Sequence, residues 1–486
     1  MINVQVHVHD RFSVEFKIAY LAKREQLRND FEINTWMFVP NQLDINDDTY
    51  SKNQFYRDVK STVRLITPVY SLDEMASEDA LPFQFLKVAF NELAVEPSRE
   101  NILDAEYHVK MLTSIVKSAL RREVYVLKRN LYNEDFINDL RHFIQCAKEV
   151  LAHYRELENT WQGLKLDKGI GSFYEFGDEF LSNQVEYYTF RLLDRLKRKT
   201  VGDYEIIERE LMNLVNDEIL YRQSKGYLVF KKDHKEHNQK VLFRLRMLRL
   251  YTESHLFLKA DRKKDGAMIE QIYFSLAAGI SMIFATAISF SFQQKYGNFT
   301  IPLFVALVIS YMLKDRIKEL MRYYFVHRLG KKYFDNKTQI SIKDHPLGWM
   351  KEGMDFVSES HVPDEIMEMR ERSDILEATN RNTAEKVILY RTWVRIDGEA
   401  LDKNNQYDVS GIHDILRFNI SSFILKMENA EVPINIPDDK GGYEKINGER
   451  IYYINFLLQL KNDDQISYVR FRLIVSRNGI EGIEKI

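Results

Sequence analysis

Residues 272–292 read IYFSLAAGISMIFATAISFSF, a run of 21 residues without a charged side chain. A helix rises about 1.5 Å per residue, so this run is long enough to cross the roughly 30 Å hydrocarbon core of a bilayer. A buried helix of a soluble protein normally keeps one polar face, whereas this run is evenly apolar. The stretch therefore predicts a transmembrane helix.

A second uncharged stretch, residues 296–313, follows closely and is strongly apolar from Phe299 onward. Its apolar part is short for a full span. Pro302 near its start suits the first turn of a helix, where a missing N–H is tolerated. The connection over residues 293–298 contains Gly and Asn and can turn the chain back. We therefore predict a transmembrane helical hairpin over residues 269–313.

Basic side chains flank this hairpin on both sides, and the connection between its helices has Lys295 as its one charge. The positive-inside rule then places both flanking regions in the cytoplasm. The prediction is an integral membrane protein with two spans and with cytoplasmic N- and C-termini. The membrane-flanking basic residues are Lys259, Arg262, Lys263, Lys264, Lys314, Arg316, Lys318 and Arg322.

Small side chains recur every four residues along the first run, and small residues let another helix approach closely. The partner is either the second run, which is the simpler arrangement, or the same helix in another subunit. Neither run contains Asp, Glu, Lys, Arg or His, which argues against an ion pathway or a proton relay. The predicted packing residues are Ala277, Ser281, Ala285, Ser289, Ala306 and Ser310.

The rest of the chain predicts an α+β multidomain protein around this hairpin. Period-two alternation in residues 1–75 indicates a small N-terminal α/β or β unit. Residues 76–268 have helical periodicity and predict a large helical cytoplasmic domain that continues into a membrane stalk. Residues 314–385 predict a basic juxtamembrane helix and a linker with a turn at 345–349. Residues 386–486 predict a C-terminal antiparallel β-sandwich or barrel, which the N-terminal strands could join.

Two strand signals near the C-terminus are the clearest of the β patterns. Residues 452–460 and 467–475 are rich in aromatic and β-branched side chains, and the turn-forming residues Asn462, Asp463 and Asp464 lie between them. This arrangement predicts an antiparallel hairpin.

Composition and charge exclude few classes of protein. The 69 Lys and Arg residues nearly balance the 72 Asp and Glu residues, so no overall charge favours nucleic acid, and none is predicted as a partner. The mean hydropathy of −0.38 averages the hairpin with a polar-surfaced remainder.

Cys146 is the single cysteine, which excludes an intramolecular disulfide and a Cys-rich zinc site. It lies in a helical pattern and is predicted to be a buried apolar residue.

His7 and His9 are the candidate metal ligands, because side chains at i and i+2 share one face of a strand. The remaining ligands are not found at a recognisable spacing, and a polar strand face explains the pair equally well. We therefore assign no metal and no cofactor from the sequence.

The sequence contains no G-x-S-x-G, H-E-x-x-H, phosphate-loop or kinase motif, and no catalytic residue is assigned. This favours a non-enzymatic scaffold, sensor or assembly component that contacts the lipid bilayer. A protein partner or a second copy would bind through the helical or the β domain. Two alternatives stay open: a membrane-bound enzyme with scattered site residues, and an oligomeric membrane-perturbing or channel-forming effector.

Overall fold

The computed structural model describes the chain except for residues 24, 131–134, 164–171, 198–204, 299, 326–332, 343–344, 372–384, 404–405, 440 and 464. It has the predicted α+β character, with many helices and large antiparallel sheets. The chain divides into two compact units. The first comprises Met1–Val63, Lys259–Asn404 and Gly411–Ile486, and the second Arg64–Leu258 and Asn405–Ser410.

The strands and helices are numbered in chain order. The strands are β1 Ile2–Asp10, β2 Ser13–Leu21, β3 Asn29–Val39, β4 Val59–Leu65, β5 Lys259–Lys264, β6 Asn336–Ile342, β7 His345–Val357, β8 Lys386–Ile396, β9 Gly411–Asn419, β10 Glu431–Pro437, β11 Tyr443–Glu449, β12 Tyr452–Asn462, β13 Gln465–Ser476 and β14 Gly479–Lys485. The helices are α1 Lys52–Asp58, α2 Leu72–Ala76, α3 Leu81–Val95, α4 Arg99–Arg129, α5 Phe136–Glu156, α6 Glu158–Gly163, α7 Phe173–Leu196, α8 Glu205–Ser224, α9 Lys235–Glu253, α10 Ala267–Tyr296, α11 Ile301–Tyr324, α12 Asp364–Arg370, α13 Gly398–Lys403 and α14 Ser421–Ile424.

An eight-stranded antiparallel sheet dominates the first unit, in the order β14-β13-β12-β3-β8-β7-β6-β5. The N-terminal strand β3 lies between two C-terminal strands, because Trp36 stands opposite Leu457 of β12 on one side and Leu389 of β8 on the other. β12 and β13 form the predicted antiparallel hairpin. Residues from the two ends of the chain therefore complete one sheet.

A second sheet, in the order β1-β2-β9-β4, packs on the first through aromatic side chains. The ring of Phe16 on β2 lies 5.2 Å from that of Phe456 on β12, and the ring of Phe418 on β9 lies 6.4 Å from Phe456. All three side chains are buried. Such aromatic pairs add about 0.5–1.5 kcal/mol each beyond their area burial. The two sheets form a β-sandwich-like core.

The second unit is helical, as its periodicity predicts. The long helix α4 is its centre and packs against α3, α7 and α9. Its buried stripe includes Ala105, Val109, Leu112 and Val116, at spacings of three and four residues. Ser98 caps the start of α4 by accepting a hydrogen bond from the Asn101 N–H. Helix–helix packing therefore accounts for the apolar pattern of this region.

Two predictions about the flanks of the apolar run are wrong. α9 ends at Glu253, and the edge strand β5, not a continuous stalk helix, leads to α10. The residues predicted as a linker with a turn at 345–349 contain strands β6 and β7. In both places the strands are stabilised by pairing with distant segments, β5 with β6 and β7 with β8, which local periodicity does not reveal.

Candidate membrane anchor and its base

α10 is the one helix in the described part of the chain that is long and apolar enough to cross a membrane. α11 differs because its second half carries Lys314, Asp315, Arg316 and Lys318. α11 nevertheless continues through Leu313 without a break, so its apolar and charged halves form one rigid helix.

The two helices pack against each other through their small side chains. Ala277 and Ser281 of α10 and Ala306 and Ser310 of α11 are buried. The Ser310 hydroxyl donates a hydrogen bond of 3.2 Å to the carbonyl oxygen of Ala285. Ser289 is half-buried. The structure thus brings the small residues of the two runs together within a single chain.

The outward faces of the helix pair are apolar and exposed. Ile283, Phe290, Ile301 and Phe304 each have more than 60% of their surface accessible. Soluble monomers rarely expose contiguous apolar patches larger than a few hundred Å². This surface is suited to contact with lipid chains.

The register of the two helices limits how deep the apolar layer is. The Arg322 guanidinium lies 4.2 Å from the centre of the Phe274 ring, and Phe325 stacks on Tyr273 at 5.0 Å. The charged half of α11 therefore runs beside the first turns of the apolar run in α10. The layer that is uncharged on both helices covers residues 301–313 of α11, which is about 20 Å in height.

Both ends of the helix pair start from one place in the sheet. Lys264 of β5 stands directly opposite Asn336 of β6, and the Asp265 N–H donates to the carbonyl oxygen of Asp335 at 3.2 Å. Gly266, with φ of +70°, then turns the chain into α10 in the left-handed conformation that glycine tolerates best. The chain thus leaves and re-enters the sheet at neighbouring positions.

Four of the predicted basic residues lie on β5 at this base, and the other four lie along the charged half of α11. Lys259, Arg262, Lys263 and Lys264 lie on β5 and are exposed. Arg262 forms an ion pair of 2.9 Å with the buried Glu352. On α11, the Lys314 ammonium lies 4.1 Å from the Tyr311 ring centre, Arg316 is exposed and Lys318 is half-buried. Arg322 is the residue that contacts Phe274.

Lys52, Tyr56, Asp335 and Asp355 form a hydrogen-bonded group that we call the collar. The collar fixes the base to the sheet. Asp335 accepts hydrogen bonds from the Lys52 ammonium at 2.9 Å, from the Tyr56 hydroxyl at 2.9 Å and from the Met354 N–H at 2.8 Å. Lys52 also contacts Asp355 at 2.9 Å. Burial opposes the charge on Lys52, but its hydrogen bonds to Asp355 and Asp335 raise its pKa above the ordinary value.

No sequence motif marks the collar. Lys52 and Tyr56 share one face of α1 at i and i+4, which is the only local signal they give. Their carboxylate partners come from segments far along the chain, so the pairing follows from the sheet and not from any motif.

A cavity of 430 Å³ lies between the collar and the ends of the helix pair. Its lining includes the aromatic rings of Tyr273, Phe274 and Tyr333 and the charged side chains of Lys52 and Asp335. Aromatic rings next to charged side chains are typical of the membrane–water interface.

His7 and His9, the candidate metal ligands, both approach Glu15 on the neighbouring strand. His7 Nε2 lies 3.2 Å from Glu15 Oε1, and His9 Nδ1 lies 3.6 Å from Glu15 Oε2. Arg417 already pairs with the same carboxylate at 2.6 Å. The buried Glu15 carboxylate therefore already has a guanidinium partner.

No family model, no curated protein and no solved structure matches this chain.

Proposed function

We propose that the chain is an integral membrane protein in which α10 and α11 enter the bilayer together as a two-span hairpin. The pairing of β5 with β6 is the observation that carries this proposal. If α10 alone crossed the membrane, Lys264 and Asn336 would lie on opposite sides and could not pair. In this proposal both ends of the hairpin are on one side of the membrane, and the basic flanks favour the cytoplasmic side.

A second candidate is a re-entrant hairpin whose connection stays inside the bilayer. The register favours it, because the layer of about 20 Å that is uncharged on both helices is shorter than the roughly 30 Å hydrocarbon core. In the two-span arrangement, Lys314 and Lys318 extend their ammonium groups to the interface, and the bilayer thins locally around the hairpin.

The molecule is best suited to a non-catalytic role as a scaffold, sensor or assembly component. Its large folded units are attached to a minimal anchor, and the collar ties the base of that anchor to the sheet through Lys52, Asp335 and Asp355. A protein partner or a second copy would use the helical or the β surfaces. A channel would need several copies, because two helices cannot surround a pore.

The anchor can be tested by excision. A short Gly-Ser linker from Gly266 to Phe334 replaces residues 267–333 and keeps Asp335 in the collar. We expect the full chain to resist alkaline carbonate extraction from membranes, and the excised chain to be soluble with a cooperative thermal transition. A full chain that is released by carbonate, or an excised chain that stays in the membrane, would contradict the proposal.

A further inference from the structure

Three side chains that are separate in sequence converge between α2 and α5 in the helical unit. His142 and Cys146 lie one turn apart on α5, and Asp73 lies on α2. His142 Nε2 lies 3.5 Å from Cys146 Sγ and 3.2 Å from Asp73 Oδ1. Within the described residues, these form a group whose ligand atoms all lie within 4.8 Å of one another.

Two of these separations are close to the edges of a tetrahedral zinc site. With a Zn–S bond near 2.3 Å and Zn–N and Zn–O bonds near 2.1 Å, tetrahedral angles give an S···N edge of about 3.6 Å and an N···O edge of about 3.4 Å. The observed distances are 3.5 Å and 3.2 Å. Because Sγ also lies 3.9 Å from Nδ1, the exposed imidazole has to turn for Nε2 to point at a shared ion.

A nucleophilic Cys-His-Asp triad does not fit the same geometry. A triad uses one imidazole nitrogen for the nucleophile and the other for the carboxylate, whereas here Nε2 is the nitrogen nearest both partners.

The surrounding charge favours a cation at this position. The carboxylates of Asp73, Glu123 and Glu149 act on the thiol together. A bound divalent ion would offset this negative charge and stabilise the thiolate. Asp73 and His142 have side chains 74% and 58% exposed, so an ion can enter from solvent, while Cys146 is buried at the inner end.

We propose that Asp73, His142 and Cys146 bind one divalent cation of borderline softness, of which Zn²⁺ is the representative. A thiolate and an imidazole select such ions over Mg²⁺ and Ca²⁺, which prefer oxygen ligands. Three protein ligands leave a fourth position for water or an external ligand. The ion would attach the short helix α2 to α5. This site is independent of the membrane anchor.

Cobalt titration of the full-length protein in detergent tests the site. Because Cys146 is the single cysteine, any thiolate-to-Co²⁺ charge-transfer band in the near ultraviolet must arise from it. We expect a band that saturates at one equivalent and disappears when Zn²⁺ is added. Cys146→Ser should abolish the band. Asp73→Asn should weaken binding at least about tenfold, and the exposed Asp79→Asn control should bind like the wild type.

The proposal is overturned if the wild-type protein shows no charge-transfer band and elemental analysis finds no stoichiometric zinc after equilibration with Zn²⁺. It is also overturned if Cys146→Ser binds zinc as tightly as the wild type. Circular dichroism of each variant shows whether it is folded, and His142→Gln provides a second loss-of-ligand variant if Cys146→Ser is not.

Discussion

At the scale of single residues, Asp414 is the most unusual group in the sandwich. It lies on β9 with 1% of its surface exposed and accepts a hydrogen bond from the Ser61 hydroxyl. Burial raises the pKa of this carboxyl to about 7; the hydrogen bond from Ser61 lowers it, and the nearby Glu352 raises it. At mildly acidic pH the Asp414 carboxyl is therefore protonated in the folded state and ionised in the unfolded chain.

The sign of the resulting pH dependence follows from this difference. Between about pH 4 and pH 7 the folded state holds more protons, so Asp414 makes stability fall as pH rises, by up to about 1.4 kcal/mol per unit. Asp414→Asn keeps an acceptor for Ser61 and removes the titration. We expect its thermal midpoint, relative to the wild type, to rise between about pH 4 and pH 7. Parallel pH profiles for the two proteins would show that Asp414 does not titrate in this range.

At the scale of elements, the strongly periodic segments could be predicted from sequence. The apolar run of α10, the stripe of α4 and the β12–β13 hairpin each carry a local pattern that their structure repeats. β5, β6 and β7 could not be predicted, because pairing with distant strands defines them. The register of α11 on α10 could not be predicted from the sequence either, because it depends on which small residues of the two helices contact each other.

The candidate sites also combine residues with a local sequence signal and residues that only the fold brings together. The i, i+4 spacing of His142 and Cys146 was present in the sequence, but Asp73 joins them only when α2 packs against α5. Lys52 and Tyr56 likewise acquire their acidic partner from a segment that the hairpin separates from them in sequence. Neither site has a contiguous motif.

Packing between α10 and α11 can be tested at Ser281, which is 2% exposed. Cysteines at positions 285 and 310, in a Cys146→Ser background, should form a disulfide within one chain because these residues share a hydrogen bond. Adding Ser281→Leu should lower this yield, since overpacking costs about 1–3 kcal/mol. The control Met282→Leu changes a side chain that is 57% exposed and should have no effect.

Non-reducing gels distinguish the two possible partners of the small residues. A cross-linked monomer supports packing within the chain, whereas a cross-linked dimer would show that the small residues of α10 meet another subunit. An unchanged yield in Ser281→Leu would mean that this face does not hold the helices together.

At the scale of the whole molecule, the two ends of the chain and the segments flanking the hairpin belong to one sheet. β3 from the N-terminal region lies between β8 and β12, and β5 and β6 form its far edge. A sheet cannot be divided by a bilayer, because its backbone hydrogen bonds must be continuous. In the proposed membrane arrangement, this constraint, more than the apolarity of α11, is the reason that the two helices insert as a pair.

The most direct test of this central claim is the sidedness of three single cysteines, Asp261→Cys, Asn298→Cys and Ile486→Cys, each in a Cys146→Ser background. A membrane-impermeant maleimide is applied to intact cells and to lysed cells. We expect positions 261 and 486 to react only after lysis, and position 298 to react in intact cells if the hairpin spans the bilayer. A re-entrant hairpin would leave position 298 protected in both. Labelling of 261 and 486 from opposite sides would contradict the hairpin itself.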